Sequence, residues 1–201
     1  MALTNAYCTL NELKSALRIT DAIDDTLLEN CINASARLID GYANRYFYNA
    51  GTATRVFAAE SITVCQVDDI AGTAITLRTA TTDVGVYDVT WESNDYQLEP
   101  LNGRSDGQSW VYTRIRAVGD YAFPMLDDQA LVQVTAVWGW NAVPPQVTQA
   151  NILQSARLFK RYDSPLGVAG FGDFGAVRVS RSLDPDVAQL VDPFRRMDFL
   201  G

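Results

Sequence analysis

The sequence predicts an α+β protein, a small helical bundle built from N- and C-terminal helices with an inserted antiparallel β lobe. Two changes of period carry that reading. Apolar residues recur every three or four positions up to about Tyr48, alternate with a period of two from about Thr52 to Trp140, and return to helical spacing after Pro144-Pro145. Neither helical end has a second partner for its apolar stripe, so the two ends are expected to pack on each other and leave the β region as an inserted lobe. The segments read as 1–51, N-terminal helices of the bundle; 52–141, antiparallel β domain; 142–163, a further bundle helix; 164–182, a glycine-rich arm; and 183–201, a C-terminal helix with a docking tail.

Each element has a local cause. Thr9-Leu10-Asn11-Glu12 is a capping box, and Leu10, Leu13 and Leu17 then share one helical face. After the turn Thr20 to Asp25, which ends in an acidic cap, a second helix carries Leu27, Leu28, Cys31, Ile32, Ser35, Leu38, Ile39, Tyr42 and Tyr46. Gly41 inside it costs about 1 kcal/mol against alanine and points to close approach of a neighbouring backbone. Strands are expected over Arg55–Ala58, Ile62–Cys65, Ala74–Leu77, Val86–Trp91, Trp110–Ile115 and Leu131–Trp138, all rich in β-branched and aromatic residues. The turns between them are too short for crossovers, so the pairing is antiparallel, in a sandwich or barrel. Pro144-Pro145 opens a helix whose face is Gln149, Ile152, Leu153, Ala156, Phe159 and Lys160, ending at Ser164-Pro165. A last short helix opens on the cap and proline of Asp184-Pro185, carries Val187, Leu190 and Val191, and stops at Pro193.

Composition limits the chemistry. With 48% apolar and 20% charged residues in 201, the chain has enough apolar material for a packed core. No run reaches the roughly 20 apolar residues of a membrane helix, and the first residues lack the features of a signal peptide, so synthesis and use in a host cytoplasm, with no membrane partner, is expected. The absence of histidine removes Ser-His-Asp, Cys-His and histidine-based metal sites. Cys8, Cys31 and Cys65 form no CxxC pair and read as small core residues. The doublets Asp24-Asp25, Asp68-Asp69 and Asp127-Asp128 read as helix caps or turns rather than as cation or acid/base sites. A formal charge of −8 opposes a phosphate-gripping surface. No catalytic residue, cofactor or metal site is expected.

Several segments stand apart. Gly167, Gly170, Gly172 and Gly175 do not fit a phosphate-binding loop, since no lysine follows. Between them Leu166, Val168, Phe171 and Phe174, continued by Val177 and Val179, carry little polar cover. Such an arm either folds back on its own bundle or is ordered by a neighbouring chain. Beyond Val191 the tail Phe194, Arg195, Arg196, Met197, Phe199 and Leu200 has the composition of a docking peptide, against the plainer reading of a frayed terminus. Trp138-Gly139-Trp140 reads as core and corner packing, and Arg157, Lys160 and Arg161 as a solvated basic turn.

The opening Tyr7-Cys8-Thr9-Leu10-Asn11-Glu12-Leu13-Lys14, the helix start Asp24-Asp25-Thr26-Leu27-Leu28 and the run Ala36 to Tyr42 ending in Arg45-Tyr46-Phe47 resemble the head-tail connector proteins of long-tailed phages. Val134 to Trp140, Val143-Pro144-Pro145, Ala156 to Arg161 and Asp163 to Gly172 closely resemble the head-to-tail adaptors of phages infecting actinobacteria. The resemblance implies a structural virion protein of the neck, forming a ring, commonly of twelve copies, beneath the portal. It implies portal protein, a tail-side connector or stopper, and passing DNA held without specific binding as partners. The portal-binding role falls on 180–201, with Val191, Phe194, Arg195, Arg196, Met197, Phe199 and Leu200 as contacts; the inter-subunit arm takes Leu166, Val168, Phe171, Phe174, Val177 and Val179. Compact members of the family lack a long β insert, which is expected outside the ring, bracing neighbours or meeting capsid. The alternatives are a carboxylate-based hydrolase or lyase using Glu92, Glu99 or Asp120, and another tail or neck structural module.

Overall fold

The computed structural model describes residues 2–81, 85–105, 108–126, 129–162, 168–169, 177–178 and 183–196. The chain divides into two compact units, one formed by 1–48 with 143–201 and the other by 49–142. The fold is the expected mixture of a helical bundle and an antiparallel sheet.

The helical unit begins with α1, Leu10–Leu17. Its capping box is formed: Thr9 Oγ accepts from the Glu12 N–H at 3.2 Å, and the Glu12 carboxylate accepts from the Thr9 N–H at 2.7 Å. Helix α2 spans Asp25–Ala43, and the Lys14 ammonium ties the two helices through Asp25 at 2.6 Å. Asp24 precedes α2 but makes no side-chain cap bond. The stripe ends before Tyr46 because Asn44 turns left-handed (φ 53°), a conformation asparagine tolerates, and the turn delivers Phe47 fully buried into the unit. Gly41 meets no atom within 4 Å of where a Cβ would stand, so the expected close backbone approach is absent and the residue simply costs helix stability.

Helix α3, Pro145–Tyr162, packs against α1, α2 and α4, the last spanning Pro185–Val191. Its deepest stripe is Val147, Ala150, Asn151, Gln154 and Ser155 rather than the expected face. Gln149, Leu153 and Lys160 are exposed, while Ile152, Ala156 and Phe159 pack half-buried against Leu13, Leu28 and Ile32. Hydrophobic spacing misses this register because three of the five buried positions are polar, and Asn151 and Ser155 are held there by hydrogen bonds. Asp184 caps α4 by accepting from the Asp186 N–H at 3.0 Å, and its other carboxylate oxygen meets Arg157 at 2.7 Å. Arg157 is therefore an interhelical tie and not part of a solvated face. The 3₁₀ turn Asp192–Phe194 follows.

The β unit contains β1 Asn49–Phe57, β2 Val64–Ile70, β3 Thr76–Thr79, β4 Val89–Trp91, β5 Tyr96–Glu99, the short pair β6 Arg104–Ser105 and β7 Gln108–Ser109, β8 Tyr112–Ala117 and β9 Val132–Gly139. Seven of these make one antiparallel sheet in the order β4-β3-β9-β2-β8-β5, with β1 along the other edge of β9. Along β9, Val132, Val134, Ala136 and Trp138 point inward onto Cys65, Val67, Leu77, Trp91, Ile115 and Phe123. Strand β5 has no strong sequence signal: only Leu98 is buried, and pairing with β8 holds it, including Glu99 against Arg116 at 2.6 Å. The Asp68-Asp69 doublet, expected in a turn or cap, lies inside β2. The pleat sends its two carboxylates to different partners, Arg55 at 2.6 Å and the Trp140 indole N–H at 3.1 Å.

Candidate assembly surfaces

Three features follow from these elements: a buried polar junction, a docked C-terminal segment, and an aromatic recess in the β unit.

The junction centres on Asn151, fully buried on α3. Its Oδ1 accepts from the Tyr7 N–H at 3.3 Å and its Nδ2 donates to the Ile32 carbonyl at 3.2 Å. Its own carbonyl accepts from Ser155 Oγ at 2.6 Å and Ser35 Oγ at 3.2 Å. Tyr7 continues the network, its hydroxyl donating to Asp40 and accepting from the Phe47 N–H at 2.9 Å. Burial pushes the Tyr7 phenol far above its ordinary range, helped by the Asp40 carboxylate, and burial also raises Asp40 itself, against the pull of Tyr7 and Arg37. The phenol stays protonated, so this is a structural lock rather than an acid/base pair.

The C-terminal segment is fastened to the end of α2. Phe194 is buried edge-on to Phe47 at 5.8 Å. Tyr42 donates to Asp192 at 2.5 Å, the Arg195 guanidinium lies 4.8 Å from the Tyr42 ring centre, and the Arg196 N–H donates to the Ala43 carbonyl at 2.8 Å. Of the tail residues singled out by sequence, Val191 and Phe194 are therefore spent on the fold of their own unit. Arg195 is exposed beside Asp192, and Met197, Phe199 and Leu200 lie outside the described residues. Of the arm, Val168 and Val177 fall in two short strands, β10 Val168–Ala169 and β11 Val177–Arg178, paired antiparallel; Leu166, Phe171, Phe174 and Val179 lie outside the described residues.

The recess lies wholly within the β unit and measures about 470 Å³. Trp110, Tyr112 and Trp140 line it with Thr73 and Asn141, and the two indoles meet edge-on at 5.2 Å. Gly103 permits the packing: its φ is +52°, and a Cβ there would stand 3.0 Å from the Tyr112 ring. Every lining side chain is uncharged. The surrounding unit is not, because residues 49–142 hold five Arg, no Lys and twelve Asp or Glu, a formal −7. The helical unit holds eleven Lys or Arg against twelve acids, a formal −1. Sequence reading found the overall charge but not this segregation, which becomes legible only once the unit boundaries are drawn.

The carboxylates considered for catalysis lie on different elements, Glu92 just after β4, Glu99 in β5 and Asp120 beyond β8. Glu99 is held below the usual carboxylate range by its hydrogen bond to Arg116, the Glu92 N–H is capped by Asp95 at 2.7 Å, and Asp120 is exposed in a turn. Among the described residues no group of three or more Cys, Asp or Glu is placed to hold a metal ion, and no helix is long and apolar enough to cross a membrane. All three cysteines are buried free thiols, as expected.

In comparison with known proteins, residues 7–76 match the model of the phage gp6-like head-tail connector protein family, a stretch that spans α1, α2, β1 and β2. No curated protein sequence matches the chain. Among solved structures, it shares its fold with a chain from the neck of a native gene transfer agent (GTA) particle computed with C12 symmetry, at 18% identity and a TM-score of 0.57. That likeness covers all of this chain and 95% of the other. Chains from the neck of an empty GTA particle computed with C6 symmetry, at 18% identity, and from the virion of a native GTA particle, at 19%, each give a TM-score of 0.56 over the same shares.

Proposed function

We propose that this chain is the head-to-tail adaptor, forming a ring of twelve copies beneath the portal and continuing the DNA channel towards a tail-side connector or stopper. The match of residues 7–76 to the head-tail connector family carries the reading. Twelve copies rest on the likeness to a neck computed with C12 symmetry. Portal contact is assigned to the C-terminal residues that begin where the chain is fastened to α2 and run beyond it: Arg195, Arg196, Met197, Phe199 and Leu200. Phe194, buried against Phe47, and Val191, buried in α4, act as the base that aims them. The excess of acid in the β unit opposes adhesion of passing DNA to that unit and suits it to a protein neighbour, capsid included.

The test mixes the full chain with the portal of the same particle and weighs the complex by native mass spectrometry. A portal-bound ring is expected, and a chain ending at Arg196 should keep its helical content yet lose the complex. A full chain that ignores the portal overturns the adaptor role. A truncated chain that binds undiminished overturns the assignment to the tail.

A further inference from the structure

We propose that the aromatic recess on the β unit of one copy receives the glycine-rich segment 168–178 of the neighbouring copy, with Phe171 and Phe174 as the inserted side chains. The inference rests on the ring reading above and names the contact that would close it.

Four observations lead to this occupant. The strands β10 and β11 pair with each other and, among the described residues, with no other strand. A two-stranded pair of this length is marginal in water without a surface to pack on. The seven residues that join them, 170–176, contain two phenylalanines, three glycines and a single charge. The recess offers what such a segment lacks, two indoles and a phenol around about 470 Å³, within the roughly 300–1,000 Å³ of pockets that enclose small ligands and roomy enough for two phenyl groups. Aromatic rings meeting aromatic walls edge-on or offset gain beyond simple burial.

Charge selects the same pairing. Residues 160–181 hold Lys160, Arg161, Arg178 and Arg181 against Asp163 and Asp173, a formal +2, whereas the recess is a neutral patch on a unit of formal charge −7. A net basic stretch carrying two phenylalanines therefore fits a neutral hollow in an acidic surface. Head-to-tail contact between identical copies needs two different, complementary surfaces on every chain, and the segment and the recess are such a pair.

The experiment uses two full-length single-cysteine additions, Phe171→Cys and Thr73→Cys, the second on the exposed rim of the recess. Equal amounts are mixed, assembled on the portal, and oxidised, and disulfide-linked dimers in the ring fraction are identified by peptide mass. A link between Cys positions on the two different proteins can form only between copies. Docking raises the effective concentration of the pair, so this link should form roughly a hundredfold faster than one between Phe171→Cys and the exposed control Asp120→Cys. Rings that form without the Phe171–Thr73 link, or with no preference over the control, overturn this contact and leave the ring reading standing. Failure of the unsubstituted chain to form any ring on the portal overturns both. In a second arm, Phe171→Ala with Phe174→Ala should weaken ring assembly, and an unchanged assembly threshold would also overturn the proposal.

Discussion

Replacing Asn151 by leucine isolates the buried junction with little change in volume. The substitution removes the acceptor of the Tyr7 N–H and the donor to the Ile32 carbonyl, while the Asn151 carbonyl keeps its bonds from Ser35 and Ser155. The Ile32 carbonyl lies inside α2 and retains a helical partner, so the main penalty is the Tyr7 N–H, left in a residue only 3% exposed. An orphaned buried donor costs about 1–3 kcal/mol and a lost hydrogen bond about 1 kcal/mol more, which predicts a loss of about 2–4 kcal/mol from the helical unit. Urea unfolding followed by far-UV circular dichroism reads that loss. All four tryptophans, Trp91, Trp110, Trp138 and Trp140, lie in the β unit, so their fluorescence reports the other unit in the same sample. A loss below about 1 kcal/mol, or a fluorescence transition that moves as far as the circular dichroism one, would refute the view that Asn151 joins the segment before α1 to α2 and α3 through its side chain.

Other perturbations bear on separate parts of the fold. Asp184→Ala removes both the cap of α4 and the partner of Arg157, and should cost about 1–2 kcal/mol by the same unfolding assay; Arg157→Ala leaves the cap and should cost less. Gly103→Ala forces a side chain onto a left-handed backbone against the Tyr112 ring, and is expected to lose about 1–3 kcal/mol, read by tryptophan fluorescence. Glu12 and Glu99 are held below the ordinary glutamate range, by the Thr9 backbone amide and by Arg116 respectively. Their contribution is present above the ordinary glutamate pKa and is lost as pH falls through the depressed values. Acid titration of Glu12→Gln should therefore show a shallower fall in helical stability than the parent chain.

Much of the helical unit was legible in the sequence because its signals are local. Thr9 and Glu12 form their box, Pro145 begins α3, and Asp184-Pro185 opens α4, since each cap depends on residues a few positions away. The register of α3 was not legible. Asn151 and Ser155 are buried by partners on α2, some 120 residues distant in the chain, and a hydrophobic pattern counts them as surface. Strand β5 was missed for a related reason, because Tyr96–Glu99 becomes a strand only by pairing with β8. Asp68 and Asp69 read as turn residues by type, yet Arg55 and Trp140 hold them within β2. Of the assembly surfaces, the composition of the arm and tail was visible in the sequence. The recess of Trp110, Tyr112 and Trp140 draws on three separated stretches that only the folded sheet brings together.

The adaptor assignment meets its most direct test in the intact particle. Cryo-electron microscopy of the neck, averaged around its axis with an antibody fragment against the β unit as marker, should show twelve copies of this chain in a collar between portal and tail. Particles whose neck lacks the chain, or that carry the marker elsewhere on the head or tail, would contradict the account.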